Sequence, residues 1–239
     1  MNDARNRSTA IVRRQRFPLS FRVGALAVLL AAGLPAQAAK GVKLRTAAFC
    51  PDYTQGDTWT FRETIRPRSG GPVSQNTVTF TVTDIRGDRV TIEQLSSGSP
   101  TGKIVAEYRV DRNGGLVPVR TLMNNANVVI EQTSQTPICP PVTGAVLEAT
   151  SQVNGMPASN IRLTFLGVAP KPTPVSVPAG TFDTYAAQYR ITITPLAGGG
   201  PSQTTTGTWY MVKGLANARQ TMETPEASIT HELLNYSIQ

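Results

Sequence analysis

The chain offers few residues of the types that do chemistry: one histidine, two cysteines and 15 carboxylates among 239 residues. A Ser-His-Asp arrangement would have to use His231, and no Gly-x-Ser-x-Gly elbow raises a serine nucleophile. His231 alternates with Ile229, Leu233 and Asn235, the place of a core or rim histidine rather than a catalytic base. General acid–base work needs two titratable groups whose surroundings drive their pKa values apart. Glu93 and Glu107 lie in apolar runs, but their alternation with threonine and other neighbours reads as outward placement. Zinc fails for want of ligands, and no phosphate loop or dinucleotide fingerprint occurs. Gly198-Gly199-Gly200 lacks a following helix and reads as a turn. The sequence therefore predicts no catalytic residue, no metal and no cofactor.

Cys50 and Cys139 are each followed by proline in loop-like surroundings. An isolated even pair in an exported chain most simply forms one disulfide. Closing a loop of this length removes denatured-state entropy worth about 4 kcal/mol. A redox pair would need closer spacing, such as Cys-x-x-Cys.

The aromatic residues carry a different hint. Trp59, Phe61, Phe80, Tyr185, Tyr189 and Trp209 all fall on strand-like segments at face-matched positions. Either they fill the core of a sandwich, or they line the open concave face of a curved sheet. In the second case an apolar hollow with few polar groups suits an acyl chain or similar cargo. Loops around Cys139-Pro140-Pro141 and Pro170 to Pro174 would then form its rim or lid.

The elements that position these residues follow from pattern and charge. Net charge is +8, but residues 1–38 hold six arginines and one acid, Asp3. The remainder carries 17 basic against 14 acidic residues, a net +3 that is too mild to argue for nucleic acid. The leading segment has a basic start, an apolar run from Val23 to Leu34, and Ala36-Gln37-Ala38. About a dozen apolar residues is too short to span a bilayer, which needs roughly 20. It reads as a secretory signal peptide cleaved after Ala38, leaving 39–239 with no transmembrane span. Arg13-Arg14 offers a twin-arginine alternative, but Phe17 stands one place late, so ordinary Sec export leads. Cys50 lies too far downstream, behind Phe49, for a lipobox.

Beyond the leader, apolar residues alternate with threonine. Thr77 to Thr83 puts Val78, Phe80 and Val82 on one face. Thr58 to Arg62 and Tyr185 to Ile193 repeat the pattern. Arg86-Gly87-Asp88, Asn113-Gly114-Gly115 and Pro178-Ala179-Gly180 supply turns between such runs. The expectation is an all-β chain with at most a short helix, of ten to twelve antiparallel strands in one domain. The proline-rich stretch 169–174 reads as a loop within it.

Three segments carry a resemblance: Gly56-Asp57-Thr58-Trp59-Thr60-Phe61-Arg62, Val177-Pro178-Ala179-Gly180-Thr181-Phe182-Asp183-Thr184-Tyr185, and Thr208-Trp209-Tyr210. They are similar to the GDxWxYR, VPAGTFxxY and WY motifs of uncharacterised exported proteobacterial proteins. The usual continuation after WY is blurred here, as Met211-Val212-Lys213-Gly214-Leu215. The resemblance implies a curved antiparallel sheet related to the lipoprotein-carrier (LolA-like) half-barrel, cupping an apolar ligand; a β-sandwich is the alternative. Residues and resemblance together predict a periplasmic, non-catalytic protein binding a lipid or lipoprotein acyl chain through Trp59, Phe61, Phe80, Tyr185, Tyr189 and Trp209. Arg62, Arg66 and Arg68 would favour anionic headgroups. The alternatives are a structural or interaction module partnered by an envelope protein, and, third, a hydrolase using His231.

Overall fold

The computed structural model describes residues 43–47, 50–98, 102–196 and 200–239; the leader expected over 1–38 lies outside them. A two-stranded ribbon, β1 (Lys43–Leu44) with β2 (Tyr53–Thr54), precedes the main sheet. The alternating segments then become β3 (Thr58–Pro67), β4 (Ser74–Arg86), β5 (Arg89–Ser96) and β6 (Ile104–Val110). There follow β7 (Leu116–Met123), β8 (Val128–Gln132), β9 (Val146–Val153) and β10 (Met156–Val168). The chain ends with β11 (Thr173–Val177), β12 (Gly180–Pro195), β13 (Gln203–Val212), β14 (Ala216–Glu223) and β15 (Ala227–Ser237). One 3-10 turn, Asn124–Ala126, joins β7 to β8.

Strands β3 to β10 form an antiparallel meander, and β12 to β15 form a second. Turn chemistry sets the hairpins. Arg86 pairs with Arg89 around Gly87, whose φ of 62° only glycine adopts without steric cost. Val177 pairs with Gly180 around Pro178-Ala179.

The sheet closes, where the sequence predicted an open half-barrel or a sandwich. Two long-range seams do this. β15 pairs with β3 from Ala227↔Pro67 to Ser237↔Thr58, and β10 pairs with β12 from Ser159↔Pro195 to Val168↔Ala187. The length of β12 makes the second seam possible. One edge holds β13; the other is shared between β11 over Gly180–Thr184 and β10 from Ala187 onward. The result is a closed barrel of twelve strands with β11 as an extra stave. Closure removes the long unpaired edges that an open sheet of this size would expose.

Inward residues match the alternation. Val78, Phe80 and Val82 of β4 are 0–1% exposed, as are Val90 and Ile92 of β5 and Tyr189 and Ile191 of β12. The β4 threonines Thr77, Thr79, Thr81 and Thr83 lie on the outer face, which also carries ion pairs such as Arg62–Glu232 and Arg120–Glu107. An apolar interior inside a charged wall is the inverse of a membrane-spanning barrel. Among the described residues no helix is long and apolar enough to cross a membrane.

Candidate functional site

Five of the six aromatic candidates converge inside the barrel. Trp59, Phe80 and Tyr189 are 0% exposed, Trp209 1% and Phe61 3%. A side chain without accessible surface borders no water-sized void, inside or out. Their rings touch one another instead. Phe61 meets Phe80 edge-on at 5.9 Å between centroids, Trp209 meets Tyr189 at 5.0 Å and Phe165 at 5.4 Å, and Trp59 meets Tyr53 at 6.0 Å. Such pairs contribute roughly 0.5–1.5 kcal/mol each beyond burial. Tyr185 is half-buried on β12, opposite Met211. An apolar hollow does lie against Tyr108, Ile130, Leu147 and Leu163, but its volume is about 50 Å³. Sites for small organic ligands occupy roughly 300–1,000 Å³.

A row of polar side chains crosses the inner face. Register aligns Asn76 with Glu63, Glu63 with His231, and His231 with Gln220. Asn76 Nδ2 donates to Glu63 Oε1 at 2.9 Å, and the other Glu63 oxygen lies 3.0 Å from His231 Nε2. Gln220 Nε2 donates to the Tyr189 hydroxyl at 3.0 Å. Burial pushes the Tyr189 phenol above its ordinary pKa despite that bond. Gly207 makes room for the ring, since a Cβ there would meet both the Tyr189 hydroxyl and the Thr221 carbonyl.

The row contains a residue that the sequence reading missed. Trp59, Phe61, Glu63 and Ile65 alternate, so strict period two already places Glu63 inward beside His231. The His231 face also differs from expectation. A bulge at Leu234 shifts register, Asn235 pairs with Thr60, and Asn235 turns out to solvent. A carboxylate-held imidazole is one part of a general base. Here His231 is 2% exposed, and its Nδ1 has no hydrogen-bond partner among the described residues. Among the described residues no hydroxyl or thiol hydrogen-bonds to its ring.

Of the two loops expected to form a rim or lid, the one carrying Cys139 is buried against the barrel, and residues 170–174 stay exposed. Cys50 and Cys139 form the disulfide, Cα to Cα 5.6 Å, both buried with Tyr53 and Leu116. Asp57, fully buried, accepts from the Thr54 N–H at 2.6 Å and the Gln239 N–H at 2.8 Å. Burial raises its carboxyl pKa, and those two bonds with Lys43 hold it back only in part. The β11–β12 hairpin reaches past β13 and β14 to β15. Its tip donates from Ala179 N–H to the Leu233 carbonyl at 3.0 Å, beside the bulge, and Arg219 grips the Ser176 carbonyl at 2.9 Å. Phe182 packs edge-on to Tyr236.

A second hollow lies on the outer wall. A groove of about 420 Å³ lies across β4 to β7, lined by Asp84, Arg86, Arg89, Thr91, Glu107 and Arg120, with Val119. Bulges at Thr83 and Val119 bend the strands that flank it. Glu93 and Glu107 face out as expected, held by Lys103 and Arg120. Arg62 and Arg68 are paired with Glu232 and Glu223.

No protein-family model matches the chain, and no curated protein matches it. Two solved structures share its fold. One is a protein of Parabacteroides distasonis ATCC 8503 provisionally classed as a lipoprotein, with a TM-score of 0.53 and 15% identity; 80% of this chain and 99% of that chain are covered. The other is a protein of Bacteroides fragilis NCTC 9343 provisionally classed as exported, with a YmcC-like fold; the TM-score is 0.50 and the identity 14%, over 82% and 99% of the two chains. At these identities the likeness is one of fold.

Proposed function

We propose that the protein is an exported, non-catalytic component of the bacterial envelope that works through its outer surface. The packing of Trp59, Phe80, Tyr189 and Trp209 to 0–1% exposure carries this reading, because the aromatic residues that would have lined an acyl-chain pocket have no space against them. Export is supported by the leader, by the Cys50–Cys139 disulfide, which persists in an oxidising compartment, and by the exported class of the structural neighbours. The non-catalytic part of the reading follows the place of His231, whose buried ring meets Glu63 and, among the described residues, no hydroxyl or thiol.

Native mass spectrometry of the protein purified from its own envelope tests the assignment. The expected species begins near Ala39, carries the disulfide, has no acyl-sized adduct, and takes up no fluorescent fatty acid. A retained lipid restores the cargo reading, and an unprocessed chain in the cytoplasm overturns export.

A further inference from the structure

The outer groove has a feature that folding alone does not favour. Arg86 on β4 pairs directly with Arg89 on β5, and Arg89 pairs directly with Arg109 on β6. Like charges directly opposite on neighbouring strands destabilise a sheet. The guanidinium groups nevertheless stay on the wall: Arg109 donates to the Gln135 amide oxygen, and carboxylates meet those that line the groove. Arg86 Nε lies 2.7 Å from Asp84, and Arg120 Nη2 lies 2.6 Å from Glu107, which also sits 3.9 Å from Arg89. Glu107 raises the Arg120 pKa further, so that group stays charged. Arg86, Arg89 and Arg120 remain 84%, 56% and 46% exposed, leaving guanidinium N–H groups free to face the groove.

We propose that this groove binds an acidic oligosaccharide, with Arg86, Arg89 and Arg120 taking its anionic groups. Three observations select that ligand class. The planar guanidinium fork matches carboxylate or phosphate bidentately. The three arginines stand on β4, β5 and β7, so their charges spread over roughly 14 Å of wall, which suits a ligand with repeated anionic groups better than one phosphate. The floor offers the Thr91 hydroxyl and the Val119 side chain, a polar and an apolar contact for a sugar ring. A membrane headgroup fits less well, because none of the large exposed apolar residues (Val73, Leu95, Val142, Met156, Leu166, Tyr236, Ile238) lines the groove. The assignment rests on the surface role proposed above, but its assay needs no export and so fails or succeeds separately.

Isothermal titration of the disulfide-bonded exported form against trigalacturonate and a heparin hexasaccharide tests the site. Micromolar to submillimolar binding of at least one is expected, weakening steeply with salt, with monomeric galacturonate at least tenfold weaker. Arg86→Gln with Arg89→Gln should lose tenfold or more in affinity without lowering the melting temperature, since a like-charge contact is removed. Arg89→Lys should lose severalfold, keeping the charge but not the fork. Arg66→Gln, an exposed arginine outside the groove, should bind as the parent does. No binding of either oligosaccharide overturns the proposal. So does an equal loss in Arg66→Gln, or binding confined to phosphatidylglycerol vesicles.

Discussion

The two ends of the barrel are held by different forces. At the disulfide end the ties are the covalent link from Cys50 to Cys139, the ring contact of Tyr53 with Trp59, and one buried carboxylate, Asp57, joining Thr54 to Gln239. Toward the other end the interior is hydrogen-bonded, through Asn76, Glu63 and His231, with Gln220 on Tyr189. There Gln94 Oε1, Ser96 Oγ and Thr205 Oγ1 are also buried without a partner among the described residues. A staple acts mainly on the unfolded chain, whereas a buried polar row acts by requiring its partners in place. One end is therefore fixed by connectivity and the other by mutual fit.

The sharpest way to break this contrast is to cut the staple. Cys50 and Cys139 are 89 residues apart, so replacing both by serine should cost about 4–5 kcal/mol in urea unfolding. A loss below about 1 kcal/mol would mean that apolar packing alone secures that end. Next comes Gly207→Ala beside the polar row. The added methyl must displace the Tyr189 ring or the Thr221 carbonyl, and should cost about 1–3 kcal/mol with the disulfide intact. An unchanged midpoint would show that the row adjusts freely.

Acid titration separates two carboxylates by sign. The Asp57 pKa is raised from 3.8, so its ionised form is a burden on the fold above that raised value, and the burden lifts as pH falls through it. For Glu232, burial alone would raise the pKa, but Arg62 and Arg219 outweigh it and hold the group below 4.5. Its stabilising contribution is present above the unfolded pKa and is lost as pH falls through the folded one. Carboxyl NMR titration should therefore place Asp57 above and Glu232 below their ordinary ranges; the reverse order would contradict the burial described. The smallest effect belongs to Arg162→Ala. Its contact with Glu148 is 3.7 Å long, and both side chains are more than half exposed, so the change should stay within about 0.5 kcal/mol.

Much of the wall was legible in the amino-acid pattern because period two is a local property. Val78, Phe80 and Val82 point inward as their alternation requires, and Gly87 and Gly180 stand at hairpin turns. The pairing of Cys50 with Cys139 followed from there being no other thiol. Closure was not legible, because the pairing of β10 with β12 depends on how far the sheet coils, which no short window encodes. Glu63 was read past because a carboxylate between apolar neighbours is assumed to face water. The outer groove needed a phase break. Val82 and Ile85 are both buried three residues apart, and this departure from alternation marks the bulge that turns Asp84 and Arg86 into the groove. Five of the six aromatic residues are buried inside the barrel, but packing density separates a pillar from a pocket lining, and density belongs to the assembled molecule.

The seam between β3 and β15 gives assembly an order in time. In a chain made from its amino end, Thr58–Pro67 is present well before Ala227–Ser237. Until those final residues arrive, the ring stays unclasped, and β3 waits with a bare edge while Cys50 and Cys139 can already find each other. Loop closure across so long a span is slow. The covalent link thus serves first as scaffolding for a half-built hoop, and only afterwards as its fastening.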